Sequence, residues 1–326
     1  MILIIPFLIA VLLLGSWYAY DISFFSPQKR RTTGSEPIQG EQYEAVADNI
    51  ARISGIMQRI PFEEVTIKSF DGTELYGRYY HVCDGAPVEI LFHGYRSHPY
   101  RDCSGGHALS RKMGFNSLVV DQRAHGRSGG HTICFGIKER RDCLYWIQYT
   151  NSRFGTDIPI ILCGLSMGAA TVLMSADLDL PDNVTCIIAD SPYSSPVGII
   201  EKVCRDRHYP VTLCRPFLHL GAMIYGGFCL QSCSARESLR SGKIPVLLIH
   251  GEADHFVPCS MSLELAAACA SPVEVATFPD AGHGLCYMTD PVRYESVICR
   301  FLLSISAVSG FISPQYLETL QKNIRG

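Results

Sequence analysis

Hydrophobic and polar positions divide the chain into three regimes. The first twenty residues, MILIIPFLIAVLLLGSWYAY, carry no charged side chain. A run of that length can cross a bilayer as a helix. Trp17, Tyr18 and Tyr20 gather at its end, where aromatic rings suit the lipid–water boundary. A cleaved signal peptide would want Lys or Arg before the run and a small-x-small site after it, and neither is evident. The expectation is a transmembrane anchor over residues 1–20. Residues 21–41, with SPQKRRTTGSEP, turn polar and basic and read as a tether. Next, Tyr43, Val46, Ile50, Ile53, Met57 and Ile60 recur at steps of three and four. That stripe predicts an amphipathic helix over 42–59, ended by Pro61 and packed on the main body.

From residue 62 onward the pattern alternates. EEVTIKSF and TELYGRYYH flank Asp71-Gly72 and predict a hairpin. PVEILFHG, FNSLVVD, IPIILCG, VTCIIAD, IPVLLIHG and VEVATF are short strands rich in Val, Ile and Leu. Helical stretches lie near 104–113, over KERRDCLYWIQYTNSRF, after Ser166 and near 291–307. Such alternation indicates a mainly parallel sheet covered on both faces. Residues 192–240 break the rhythm. They are rich in aromatics, Cys and Gly, without a clear strand, and read as a helical insertion.

Composition narrows the function. The chain has 326 residues, is 47% hydrophobic and 18% charged, and carries a net charge of −3 with no long basic run. A packed domain fits and disorder does not. Nothing favours nucleic acid as a partner. Lys29, Arg30 and Arg31 follow the apolar run and no basic residue precedes it, which places the body in the cytoplasm by the positive-inside tendency. The fourteen cysteines all lie after the run and form no regular framework, and several sit inside apolar strands as small core residues. Cys229-x3-Cys233 could seat half a zinc site, but no matching pair is obvious, so no metal is expected.

Gly164-Leu165-Ser166-Met167-Gly168 stands where a buried strand meets a helix of small residues, Ala169 and Ala170. G-x-S-x-G is weak as a bare motif. At a strand-to-helix junction it forms a tight turn that exposes the hydroxyl, which makes Ser166 the candidate nucleophile. A serine needs a base, and histidine titrates near neutrality. His283, in FPDAGHG, and Asp254, in LLIHGEADHFVP, each lie just beyond a later strand, in the order Ser, acid, His. Asp254 has a capping role as its alternative, and Asp190, at the end of CIIAD, is the rival acid. Asp280 lies close to His283, and His255 is too near Asp254 in sequence to be its partner. The oxyanion of an attacked carbonyl needs donors, for which the backbone N–H of Met167 and of Tyr95 are candidates, with His93 and Gly94 shaping the Tyr95 loop. In DQRAHGRSGGH, residues 121–131, Arg123 and His125 read as loop-holding residues rather than an anion or metal site.

HGY, DQRAHGRSGG, GLSMGAAT, HGEADHFVP and AGHG, in this order, resemble the motifs of the α/β-hydrolase superfamily. More narrowly they resemble serine-aminopeptidase-like and acylglycerol-lipase-like bacterial hydrolases. The resemblance covers about residues 62–307. It implies the α/β-hydrolase fold: an eight-stranded sheet with its second strand antiparallel, a short cap of about 192–240 inserted after the sixth strand, and no cofactor. It carries over Ser166, Asp254 and His283 as nucleophile, acid and base, with Tyr95 and Met167 as oxyanion donors. The expected activity is a serine esterase for an acyl ester or acylglycerol held near a membrane. A peptidase with the same residues is the alternative, for which Glu201, Arg205 and Asp206 are weak pocket candidates. A non-catalytic scaffold is the remaining reading.

Overall fold

The computed structural model describes residues 4–32 and 40–325. Among the described residues eight strands cross the body: β1 (Glu63–Lys68), β2 (Glu74–Tyr80), β3 (Val88–Phe92), β4 (Asn116–Val120), β5 (Ile160–Leu165), β6 (Val184–Asp190), β7 (Val246–Gly251) and β8 (Val273–Phe278). They form one sheet in the order β1-β2-β4-β3-β5-β6-β7-β8. β2 runs antiparallel to both neighbours, and the pairs from β4-β3 to β7-β8 are parallel. At the Asp71-Gly72 turn, Gly72 takes a positive φ of 80°, as the predicted hairpin requires.

Because side chains alternate along a strand, each apolar run feeds two cores. Ile90, Phe92, Leu118, Val120 and Leu162 face one, with Trp146 of the helix Glu139–Phe154 and Leu173 of the helix Met167–Met174. Leu91, Val119, Ile161 and Cys163 face the other, with Met113 of Ser104–Met113 and Phe301 of Pro291–Ser304. Met57 joins this second core from the helix Ala47–Gln58.

Four expectations need amendment. The stripe over 42–59 is not one helix: Glu41–Glu44 and Ala47–Gln58 are separate, because Gln42 and Tyr43 are drawn to the loop at His283. The helix near 291–307 ends at Ser304. Two more follow, Ser306–Ser309 and Pro314–Arg325, the latter bringing Tyr316 and Leu320 into the second core.

The third amendment concerns the tether. Its central residues, 33–39, lie outside the described residues, but 21–32 are docked on the body. The N-terminal helix runs Ile4–Ser23, past the expected end at 20. Phe24 then enters the first core fully buried, edge-on to Phe135 and Phe228. Phe25 bridges Thr132, the Ser26 hydroxyl donates to the Ala124 carbonyl at 2.8 Å, and the Arg31 guanidinium donates to the carbonyls of Gly126, Ser128 and Gly130. Polar composition concealed these contacts because they are all to distant residues.

The fourth concerns the cap. Residues 192–240 are helical as expected, with Pro196–Asp206, Val211–Ile224 and Ala235–Leu239. Part of their apolar surface, however, serves the N-terminal helix. Gly221 lies so close that a Cβ there would meet the Ser16 carbonyl at 2.5 Å. Phe217 packs against Gly15, and the Tyr225 hydroxyl donates to the Leu13 carbonyl at 3.1 Å.

Candidate active site

Ser166 takes φ 55° and ψ −115°, strained for a residue with a Cβ. The glycines on either side explain how the turn is held. A Cβ on Gly164 would lie 2.3 Å from Gly168, and one on Gly168 would lie 2.1 Å from the Phe92 carbonyl. Only bare backbone fits where the end of β3 and the helix Met167–Met174 cross the end of β5.

His283 brings the predicted three together. Its Nε2 is 2.9 Å from Ser166 Oγ, and its Nδ1 is 2.7 Å from Asp254 Oδ2. The carboxylate can only accept, so Nδ1 carries the proton and Nε2 faces the serine hydroxyl. Asp254 also holds its own loop, but it does not cap the next helix, which begins at Ser260 after Cys259. Its Oδ1 accepts the Phe256 and Val257 N–H groups at 2.9 and 2.8 Å. Burial opposes the charge on Asp254, but hydrogen bonds from His250 and His283, the charge of His283 and the Val257 N–H outweigh it and hold the carboxyl well below the usual range.

The rival acid lies elsewhere in the network. Asp190 accepts from the Ser191 hydroxyl at 2.9 Å and the Tyr294 hydroxyl at 3.1 Å, and its carbonyl accepts the Ser166 N–H at 2.8 Å. Burial pushes its carboxyl up. Among the described residues it makes no hydrogen bond to His283, and neither His255 nor Asp280 enters the cluster.

Of three successive amides in the loop after β3, two are committed. The Gly94 N–H donates to Asp102 Oδ2 at 2.8 Å, and the Arg96 N–H to His125 Nε2 at 2.9 Å. The Tyr95 N–H between them has no protein acceptor among the described residues. Met167 opens its helix, where first-turn amides have no partner in that helix. Gly94 packs directly on Ser166, a Cβ there lying 3.4 Å from Ser166 Cβ. His93 is a scaffold: its Nε2 accepts the Gln122 N–H at 3.1 Å, and burial pushes its pKa down to about 4. The loop 121–131 is held as expected. Arg123 pairs with Asp142 at 2.6 Å and Asp71 at 2.9 Å, and His125 makes the bond just given.

Ser166 and His283 open onto a cavity of about 370 Å³. Ile50, Leu165, Phe256 and Met288 give it apolar walls, while Tyr43, Arg101 and Asp102 add polar ones. No residue of 192–240 lines it.

Two family models match the chain. "Serine aminopeptidase, S33" matches residues 87–205, which hold Tyr95, Ser166 and Met167, and "Serine hydrolase (FSH1)" matches 215–285, which hold Asp254 and His283. The chain is similar to YqkD of Bacillus subtilis, 24% identical over 90% of this chain and 93% of that protein. It is also similar to the AB hydrolase superfamily protein YisY of the same organism, 24% identical over 58% of this chain and 82% of that one. Among solved structures, the Pyrococcus furiosus esterase Pf2001 superposes with a TM-score of 0.63 at 21% identity, over 87% of this chain and 98% of that one. Est1E from Butyrivibrio proteoclasticus, solved with ferulic acid bound, gives 0.57 at 19% identity over 74% and 99%. The chain has the α/β-hydrolase fold.

Several residues around the cluster were not legible in the motifs. Gln42 Oε1 accepts the His283 N–H at 3.2 Å, and the Tyr43 hydroxyl donates to the His283 carbonyl at 3.2 Å. Ser191 Oγ accepts the Gly284 N–H at 3.1 Å. His250, inside a quoted motif, lies 3.3 Å from Asp254 Oδ2 and 2.9 Å from the Val257 carbonyl through Nε2. Both are acceptors, so Nε2 carries the proton and Nδ1 accepts from Ser262 at 2.7 Å. A histidine inside the last residues of a parallel strand was the signal available for it.

Proposed function

We propose that the protein hydrolyses carboxylic esters through an acyl-enzyme on Ser166. His283 Nε2 takes the serine proton as Oγ attacks the acyl carbon. Asp254 fixes the imidazole tautomer and balances its charge. The Tyr95 and Met167 N–H groups hold the oxyanion. His283 then returns the proton to the leaving alkoxide. A water attacks the acyl carbon, gives its proton to His283, and the acid leaves with Ser166 restored. The observation that carries this reading is the unbroken hydrogen-bonded line from Ser166 through His283 to Asp254 on the wall of a cavity. The same line argues against a non-catalytic scaffold.

The match to a serine aminopeptidase model favours a second reading, amide hydrolysis at a peptide end. Its weak pocket candidates do not support it. Glu201 pairs with Arg205 and Arg215, Asp206 pairs with Lys202, and none of them lines the cavity. Ester turnover is therefore the preferred function.

The N-terminal helix is long and apolar enough to span a bilayer, and we read it as a membrane anchor that stays attached. Tyr20 and Phe24 are buried in the body, so cleavage near residue 20 would strip core contacts. The insertion helix Val211–Ile224 lies against it and exposes Leu213, Met223 and Ile224, so this side of the body would border the lipid. The basic residues after the span, Lys29 to Arg31, support a cytoplasmic body.

The test is turnover of p-nitrophenyl esters of increasing chain length and of a panel of aminoacyl amides, with the full chain in micelles, beside Ser166→Ala. Ester turnover that depends on Ser166 supports the reading. Amides cleaved faster than esters would replace it with the peptidase, and ester turnover unchanged in Ser166→Ala would end both.

A further inference from the structure

Arg101 stands in the cavity wall with Ser166 and His283 and has no task in the acyl-transfer line. It belongs to the short helix Pro99–Asp102, after the Tyr95 loop. Its Nε donates to Asp102 Oδ1 at 2.9 Å. Among the described residues its two terminal nitrogens make no hydrogen bond. The pairing leaves those donors unused, because Asp102 is answered through Nε on one oxygen and by the Gly94 N–H at 2.8 Å on the other. Burial opposes ionisation of Asp102, but the Arg101 charge and these donors hold its carboxyl below the usual range. The guanidinium is thus aimed by a fixed carboxylate. That carboxylate is tied to Gly94, which packs on Ser166. The Arg101 charge also acts on the Tyr43 phenol, whose hydroxyl bonds to the His283 carbonyl.

The carboxylates in the same wall do not offer a matching site for a cation. Asp190 is held by the Ser191 and Tyr294 hydroxyls, and Asp102 has donors on both oxygens. Opposite them stand Ile50, Leu165, Phe256 and Met288. The cavity therefore has one corner with free guanidinium donors and an apolar remainder.

We propose that Arg101 is an anion subsite, and that the preferred substrates are esters of an apolar acyl chain that carry a carboxylate or phosphate a few bonds from the scissile ester. A guanidinium with both terminal nitrogens free suits such groups, since these can donate two parallel hydrogen bonds to one oxyanion. This inference rests on the esterase reading and adds the charge class of its substrate.

The experiment compares matched pairs on the full chain in neutral detergent micelles. Mono-p-nitrophenyl glutarate against p-nitrophenyl valerate places a carboxylate on the acyl side. 1-Butyrylglycerol 3-phosphate against 1-butyrylglycerol places a phosphate on the alcohol side. At least one charged member is expected to exceed its neutral partner in kcat/KM by about tenfold, the size of a charge-assisted hydrogen bond. The pair that shows it identifies which anion is read. Arg101→Gln should bring that ratio close to one, and Arg101→Lys should keep part of it. A merely structural role would lower both members alike and leave the ratio unchanged, which would overturn the inference. So would equal turnover of both members by the unaltered protein, a comparison that needs no variant to fold. If neutral esters are turned over through Ser166 with no anionic preference, only the subsite fails. If no ester is turned over, the esterase reading fails with it.

Discussion

Phe24 offers the sharpest structural test, because the sequence pattern alone puts it in a loose tether. It is fully buried, with ring centroids 5.7 Å from Phe135 and 5.4 Å from Phe228, both edge-on. Phe135 in turn lies 5.1 Å from the ring of Tyr95, whose hydroxyl donates to the Ser23 carbonyl at 2.8 Å. Arg96 also donates to the carbonyls of Ile22 and Phe25. The end of the N-terminal helix therefore grips the loop that carries a proposed oxyanion donor. Phe24→Ala removes a whole buried ring, which costs about 3–5 kcal/mol when the cavity does not collapse. For a body of this size that is a fall in Tm of about 6–15 °C. Leu14→Ala, on the same helix but 69% exposed, should change stability by no more than about 0.5 kcal/mol. The assay is thermal unfolding of full-length protein in micelles, followed by ester kinetics below the transition. Phe24→Ala should also lower kcat more than it raises KM, because a loosened Tyr95 amide weakens transition-state binding. A Tm within about 2 °C of the unaltered protein would refute the docking, and a normal kcat in a destabilised variant would refute the coupling to the loop.

Asp254→Asn should lower kcat about 10⁴-fold by losing the imidazole tautomer, while Asp190→Asn should act mainly on stability; comparable kcat losses would mean the acid is misassigned. Because the Asp254 carboxyl is held low, its contribution to stability is present above the ordinary carboxylate range and lost as pH falls through its folded value, so acid unfolding of Asp254→Asn should show a shallower pH dependence. Glu89, buried in β3 and bonded by Ser110 and Cys163, has its pKa pushed by burial up to about 7. Folding then keeps a proton that the unfolded chain loses, so stability should fall between about pH 4 and 7, by at most about 3 kcal/mol, and Glu89→Gln should flatten that slope in denaturant titrations. Gly168→Ala drives a Cβ into the Phe92 carbonyl and should abolish folded, active protein, whereas Gly310→Ala, with nothing within 4 Å, should be silent in expression and Tm.

The strands β3 to β7 were legible because each is a short apolar run that buries both faces, and β1 and β2 because they flank the Asp71-Gly72 turn. The elbow was legible because G-x-S-x-G stood between such a run and a helix of small residues. Asp254 and His283 followed from their positions beyond later strands. What escaped the sequence was contact at long range. Arg31 bonds to carbonyls about a hundred residues away, and nothing in a polar, basic stretch distinguishes that from a solvated tether. Gln42 and Tyr43 sit on the expected stripe, yet their pull toward His283 broke the helix there. The insertion has the apolar composition of a substrate lid, but part of its apolar side is spent on the N-terminal helix and none of it lines the cavity. Arg101 and Asp102 belong to no motif, and only the fold brings them beside Ser166.

The most direct test of the central claim is reaction of the full-length protein with a fluorophosphonate, with the adduct located by peptide mass spectrometry. An activated Ser166 predicts one dominant adduct on the peptide spanning residues 160–171, absent in Ser166→Ala and strongly slowed in His283→Ala. No adduct on well-folded protein, or labelling that persists undiminished in Ser166→Ala, would contradict it.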